Sequence, residues 1–279
     1  MIKFKKLQKD DFNTVNKYLL LDKTRSCEKV GAALMMWRDF YNIEWSIYEQ
    51  TLIIRYLNEE KDETAYLVPI GENVEKTVQA LGKVVYTGVC KENIEKVADK
   101  DSEIIPVRDN FDYIYSAEAL RTFSGKKLHA KKNFLNRFQK TYKYEFSLSP
   151  DKDELIEFFK FIDEKYPHYD ETGVAELNET IDMIENSELF GATMGAIKVD
   201  GRVVAATVGT KIRDTLYVHI EKADREYAGA YQAIVSEFVK AFDGIEYVNR
   251  EDDLGDDGMR QSKLSYNPLY LLEKHIVKR

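Results

Sequence analysis

Cysteine is scarce: Cys27 and Cys90 are the only two in 279 residues. That excludes a disulfide framework, and neither sits in the paired spacing of a metal or redox motif. Both read as buried, reduced thiols. Histidine is sparse as well, and His129, His168, His219 and His275 show no HxxxH or related pattern, so no metal site is expected. No apolar run reaches the ~18 residues needed to cross a bilayer. The opening MIKFKKLQKDDF has a basic start with no apolar stretch behind it, so no secretory signal is read there and a cytoplasmic location is expected. No segment rich in Gly, Pro or Ser marks a domain boundary.

What is present is a folding composition. Hydrophobic residues make up 44% and charged residues 32%, which together specify a globular chain with a polar surface. The length allows two domains of ordinary size or one large one. The net charge of −8 disfavours a generic nucleic-acid binder, yet the charge is unevenly spread. Residues 119–144 carry eight basic side chains (Arg121, Lys126, Lys127, Lys131, Lys132, Arg137, Lys140 and Lys143) and no acidic one. A cationic patch on an acidic body points to a directed polyanion contact.

Periodicity predicts a strand-rich first half, with strands at 3–7, 43–49, 51–57, 64–70 and 103–107 and helices at 9–21, 73–81 and 91–98. A helix over 126–141 follows, with Leu128, Phe134, Leu135 and Phe138 as its apolar stripe. The second half reads as strand 142–148, helices 153–166 and 174–186, strands 189–199, 202–212 and 215–223, helix 229–242, strand 244–249, a short helix at 256–264 and strand 269–278. Asp200-Gly201 is a tight hairpin signal. The expected class is α/β (α+β), divided near 115–125 into residues 1–120 and 121–279.

Two segments carry a specific resemblance: DYIYSAEALRTFSGKKLHAKKNFLNRF at 112–138 and NREDDLGDDGMRQSKLSYNP at 249–268. They resemble the phosphatidylglycerol lysyltransferase C-terminal domain family, whose members are similar to tandem GNAT-fold acyltransferases. The resemblance implies two tandem GNAT-like domains with mixed, mostly antiparallel sheets flanked by helices, and acyl or aminoacyl transfer as the chemistry. It covers nearly the whole chain but not the membrane-embedded part of the full-length lipid-modifying enzymes. A small metabolite, a peptide, a protein amine or a lipid headgroup is therefore open as acceptor.

GNAT-like enzymes hold the coenzyme A pyrophosphate at a Q/R-x-x-G-x-G/A junction, where backbone N–H groups meet a helix N-terminus. The matching stretch is Arg225-Glu226-Tyr227-Ala228-Gly229-Ala230, with Ala228 in place of the first glycine. Arg225, Gly229, Ala230 and Tyr231 are the implied cofactor-binding residues. In the first half the corresponding GENVEKT lacks the Arg or Gln and the second small residue, which marks a degenerate scaffold.

Lys126, Lys127, Lys131 and Arg137 are the candidates to hold phosphates of a nucleotide-bearing donor. Tyr113, Tyr115, Phe134 and Tyr142 lie close enough in sequence to offer stacking surfaces, though their spacing fits core packing equally. Glu251, Asp252, Asp253, Asp256 and Asp257 form an acidic loop whose spacing fails as a calcium loop. Such a loop suits an amine, with Glu251 and Asp252 as general-base candidates and Asn249, Arg250 and Asp253 as substrate contacts. Tyr266 resembles the GNAT tyrosine that can protonate a leaving thiolate, though core packing fits it equally, and Lys263 could polarise an ester carbonyl or hold a phosphate. Three functions stay open: an aminoacyl-tRNA-dependent transferase, an acyl-CoA-dependent N-acyltransferase, and a binding module without turnover.

Overall fold

The computed structural model describes residues 2–58, 63–167 and 171–279, and His168 lies outside the described residues. In chain order the strands are β1 (Lys5–Lys6), β2 (Glu44–Tyr48), β3 (Thr51–Asn58), β4 (Glu63–Tyr66), β5 (Ile70–Gly71), β6 (Val85–Cys90), β7 (Glu103–Pro106) and β8 (Asp112–Ser116). They continue as β9 (Tyr144–Ser147), β10 (Thr193–Val199), β11 (Arg202–Ile212), β12 (Thr215–Ala223), β13 (Tyr247–Asn249), β14 (Tyr270–Leu272) and β15 (Lys274–Lys278). The α-helices are α1 (Phe12–Leu19), α2 (Gly31–Met36), α3 (Val74–Leu81), α4 (Ile94–Val97), α5 (Ala117–Thr122) and α6 (His129–Thr141). After them come α7 (Lys152–Lys165), α8 (Glu171–Glu185), α9 (Ser187–Phe190), α10 (Ala230–Lys240) and α11 (Asp257–Leu264).

The chain forms two compact units. The first comprises Met1–Asp112, Asp252–Asp256 and Leu271–Arg279, the second Tyr113–Glu251 and Asp257–Tyr270. The expected cut after residue 120 falls inside the second unit, because β8 and α5 pack there, and the C-terminal strand belongs to the first.

Each unit is built on one mixed sheet. The first runs β1-β2-β3-β4-β6-β15-β7, with β5 beside β3, and the second β9-β10-β11-β12-β13-β8-β14. In the first, β4 and β6 are parallel; in the second, β12 and β13 are parallel. The remaining pairings along β1–β7 and from β9 to β8 are antiparallel. The two orders correspond position by position. Beside the parallel pair stands β15 in the first sheet, taken from far along the chain, and β8 in the second, the strand that opens that unit.

The sequence patterns explain most elements. β11 is buried over seven consecutive residues, so RVVAATVGTKI reads as an apolar run and not as an alternation. Asp200 and Gly201, both at positive φ (49° and 78°), make the tight turn between β10 and β11. Four elements were not expected. GAALMM of α2 is buried all round, so it has no amphipathic period to read. β8 is likewise buried, α5 is a single short helix, and β6 carries a glycine in mid-strand. The expected strand 189–199 begins instead as α9, a helix that Gly191 ends. The expected strand 269–278 breaks at Glu273 into β14 and β15, which join different sheets.

The apolar core of the first unit gathers Ile53, Val68, Val78, Tyr86, Val89, Val97 and Val277. Beside β15 it holds a charge. The Lys274 ammonium, 1% exposed, lies 2.6 Å from Asp112 Oδ1 and 2.8 Å from Glu28 Oε1, and donates to Cys27 Sγ at 3.3 Å. The Cys27 N–H donates to Asp112 Oδ2 at 2.8 Å. Burial alone would lower the Lys274 pKa, but Asp112, Cys27 and Glu28 hold it well above its ordinary value. Burial works to raise the Glu28 carboxyl, and Lys274 outweighs it and keeps that carboxyl low. Replacing Lys274 strands buried carboxylates. Lys274→Met is expected to lower the unfolding free energy by about 3–5 kcal/mol in urea denaturation. Because the folded Glu28 pKa lies below its unfolded value, its contribution is full above the ordinary carboxylate range and is lost as pH falls through the lowered value.

Candidate active site

The second unit owes its site to two parallel strands that part. β12 and β13 pair from Thr215 and Tyr247 to Tyr217 and Asn249 and no further. On its other side β12 carries one residue too many: Val208 faces Ile220 and Gly209 faces Val218, so His219 is a bulge without a partner. A bulge bends its strand and increases its twist, which turns β12 away from β13. β13 is stopped by its own last side chain, since the Asn249 carboxamide accepts the Glu251 N–H at 2.6 Å. Glu251 is left in the left-handed region at φ 56°, a conformation costing about 1–3 kcal/mol for such a residue.

Polar side chains fill the gap on both faces. On the face toward α10, the Phe238 ring lies 3.0 Å from where a Gly209 Cβ would stand. Glu221 is the Cα partner of Thr207 and shares that face. Its carboxylate holds Arg250 Nη2 at 2.8 Å. The Arg250 guanidinium lies 4.6 Å from the Tyr266 ring centroid and 5.8 Å from that of Tyr115. Lys131 of α6 reaches the same Tyr266 ring at 4.0 Å, and Gln232 of α10 donates to the Tyr266 hydroxyl at 2.8 Å. Lys263 of α11 donates to the Arg250 carbonyl at 2.7 Å, and its own carbonyl accepts from Tyr115 at 2.8 Å. Arg250 Nη1 is buried with no hydrogen-bond partner.

The electrostatics follow from burial. It raises the Glu221 carboxyl above the ordinary range, and the charges of Arg250 and Lys263 only partly offset it. It pushes the Tyr266 phenol up to about 12 and the Tyr115 phenol higher still. Burial lowers the Lys131 ammonium, and the like charge of Arg250 lowers it further. On the opposite face a second chain forms. His219 Nδ1 lies 2.8 Å from Glu251 Oε1, and His219 Nε2 lies 3.0 Å from Thr210 Oγ1.

The candidates from the sequence fall into separate places. Arg250, Tyr266, Lys131 and Lys263 are brought together, while Asn249 shapes the turn and Glu251 faces His219. Asp252 and Asp253 belong to the first unit: Asp252 lies 4.0 Å from Lys274, and Asp253 is buried, paired with Arg108 at 3.1 Å. The Cys27, Glu28 and Asp252 ligand atoms lie within 4.8 Å of one another, but the Lys274 ammonium stands where a cation would. Lys126, Lys127 and Arg137 are exposed. So is Phe134, at 48%, contrary to its expected place in the apolar stripe, whereas Leu128, Leu135 and Phe138 are buried. Tyr113 and Tyr115 are buried, so neither offers an open stacking face. Glu221, His219 and Gln232 escaped the sequence reading. The available signal was a charged pair, Glu221-Lys222, inside a largely buried strand, which is costly unless partnered.

The junction before α10 is packed. Arg225 is exposed and lies over the Tyr166 ring at 4.6 Å. The Glu226 N–H donates to the Asp224 carboxylate at 3.1 Å, the Tyr227 N–H to the Asp224 carbonyl at 3.1 Å, and the Ala230 N–H to the Tyr227 carbonyl at 2.9 Å. Ala230 is buried and Tyr231 half-buried. Gly229 has φ 95°, and a Cβ there would stand 2.3 Å from the Phe134 carbonyl oxygen of α6. The close approach at this glycine is thus made by a helix backbone. Gly229→Ala is expected to destabilise by about 1–3 kcal/mol through strain and overpacking; a variant as stable as the parent in urea unfolding would refute this packing role.

A protein of unknown function from Bacteroides thetaiotaomicron has a similar structure, with a TM-score of 0.91 and 31% identity over 100% of this chain and 99% of its own. L-PGS from Bacillus licheniformis shares the fold at a TM-score of 0.66 and 16% identity, covering 96% of this chain and 91% of that one. An uncharacterised protein of Mycoplasmoides gallisepticum is 25% identical over 185 residues, which span 64% of this chain and 59% of that protein's length. The family described as phosphatidylglycerol lysyltransferase, C-terminal, matches residues 21–278, and the chain belongs to it.

Proposed function

We propose that the chain transfers an aminoacyl group from charged tRNA to an amine- or hydroxyl-bearing acceptor, at the Arg250–Tyr266 cluster. Family membership supports aminoacyl transfer. The observation that carries the reading is Lys131: α6, which bears exposed Lys132 and Arg137 and is entered through a turn bearing exposed Lys126 and Lys127, sends this residue to the buried cluster at the Tyr266 ring. One helix then both holds a polyanionic donor and reaches the place of reaction. A coenzyme A arm passing between β12 and β13 would meet the Glu221–Arg250 pair, which disfavours a thioester donor.

In the reaction the acceptor attacks the ester carbonyl and the 3′-oxygen of the donor leaves. Glu221 takes the acceptor proton, because its raised pKa makes it a stronger base than an exposed carboxylate. Tyr266 returns a proton to the departing oxygen, an alkoxide basic enough to take it from a phenol at about 12. Most of the remaining acceleration is positioning.

Fluorescence-anisotropy titration with bulk tRNA at low and moderate salt tests the donor. The triple variant Lys126→Glu, Lys127→Glu, Lys132→Glu is expected to bind more weakly, with a shallower log–log salt slope by about 0.9 per lost phosphate contact. No salt-sensitive binding by the parent chain would remove tRNA as donor. With labelled aminoacyl-tRNA, Glu221→Gln is expected to lower the transfer rate about 10²–10⁴-fold while tRNA binding persists; equal rates would remove Glu221 as the base.

A further inference from the structure

We infer that Arg250 and Lys131, gathered at the Tyr266 ring, form a binding site for a phosphate group. The donor inventory points there. Arg250 spends Nη2 on Glu221 at 2.8 Å and its guanidinium also interacts with the Tyr266 hydroxyl, while Nη1 is buried and has no hydrogen-bond partner among the described residues. A buried donor without a partner is costly, and a native structure keeps one where something else completes it. Lys131 supplies the second cation. It is half-buried, lies 4.0 Å from the Tyr266 ring centroid, and among the described residues makes no ion pair or hydrogen bond. No acid occurs in α6 or within residues 119–144 to neutralise it. The Tyr266 hydroxyl accepts the Gln232 amide hydrogen, which leaves its own proton available for donation.

Charge explains why the missing group is an anion. Arg250 and Lys131 face one carboxylate, Glu221, and the depression of the Lys131 ammonium by burial and by Arg250 is the mark of a cation left uncompensated. Shape favours a phosphate over a carboxylate. A guanidinium fork satisfies a planar carboxylate by itself, whereas a tetrahedral phosphate presents further oxygens to a separate ammonium and to the phenol. The phosphate belongs either to a nucleotide of the donor or to a phosphorylated acceptor. This inference rests on the aminoacyl-transfer reading only for that origin, not for the site.

Trace acetylation of the whole chain with acetic anhydride, followed by mass spectrometry of individual lysines, reads the site directly. Lys132, exposed and next along the helix, serves as the internal control. Millimolar inorganic phosphate is expected to raise the Lys131 pKa by about one unit and so slow its labelling roughly tenfold, with Lys132 unchanged. Arg250→Gln and Arg250→Lys should abolish the protection. Unchanged Lys131 labelling, equal protection of Lys132, or equal protection by acetate would each overturn the inference. The parent-chain comparison of the two lysines decides it even where an Arg250 variant does not fold. Stronger protection by adenosine 5′-monophosphate than by glycerol 3-phosphate assigns the phosphate to the donor, and the reverse assigns it to the acceptor. Protection without transfer from charged tRNA keeps the site and loses the proposed reaction; transfer without protection does the opposite.

Discussion

Everything in the second unit's polar centre depends on β12 having one residue more than β11 can pair. The extra residue, His219, ends the match between β12 and β13 at Tyr217. Parted strands leave backbone and side chains facing a gap, and buried polar groups tolerate a gap only if they find partners across it. Glu221 and Arg250 do so on one face, His219 and Glu251 on the other. Had β13 continued alongside β12, ladder hydrogen bonds would occupy that space and no side chain could converge there.

The opposite solution appears in the first unit, where charge is buried to close a structure and not to leave a donor waiting. Lys274 has three acidic side chains within 4.0 Å and a sulfur besides. Arg250 has one carboxylate and, among the described residues, a buried Nη1 without a hydrogen-bond partner. The contrast separates a staple from a site more sharply than burial does, since both cations are largely hidden from water.

The strands β10, β11 and β12 were legible because each is a long, mostly apolar run, with the turn Asp200-Gly201 between the first two. The basic stretch was legible because charge is additive along a sequence. Glu221 and His219 were not, because their meaning depends on register: a single unpaired residue decides which face they occupy, and nothing local announces it. The acidic loop is divided for a related reason. Glu251 and Asp252 are neighbours in sequence but belong to different units, so adjacency carried no information about shared chemistry. Gly229 fitted a phosphate motif by position, yet the atom that crowds it belongs to α6.

The exchange of strands between the two halves has a consequence for how the chain matures. Among the described residues β7 pairs only with β15, and β6 has β15 along one side. During synthesis from the N-terminus, the first unit therefore has open strand edges until its final residues emerge, long after most of its sequence has been made. Contacts of such long sequence separation form slowly, and unpaired edges recruit wrong partners in the interval. The first half is thus the later of the two to finish folding, and a chain interrupted just before β15 would be a natural substrate for chaperones or proteases.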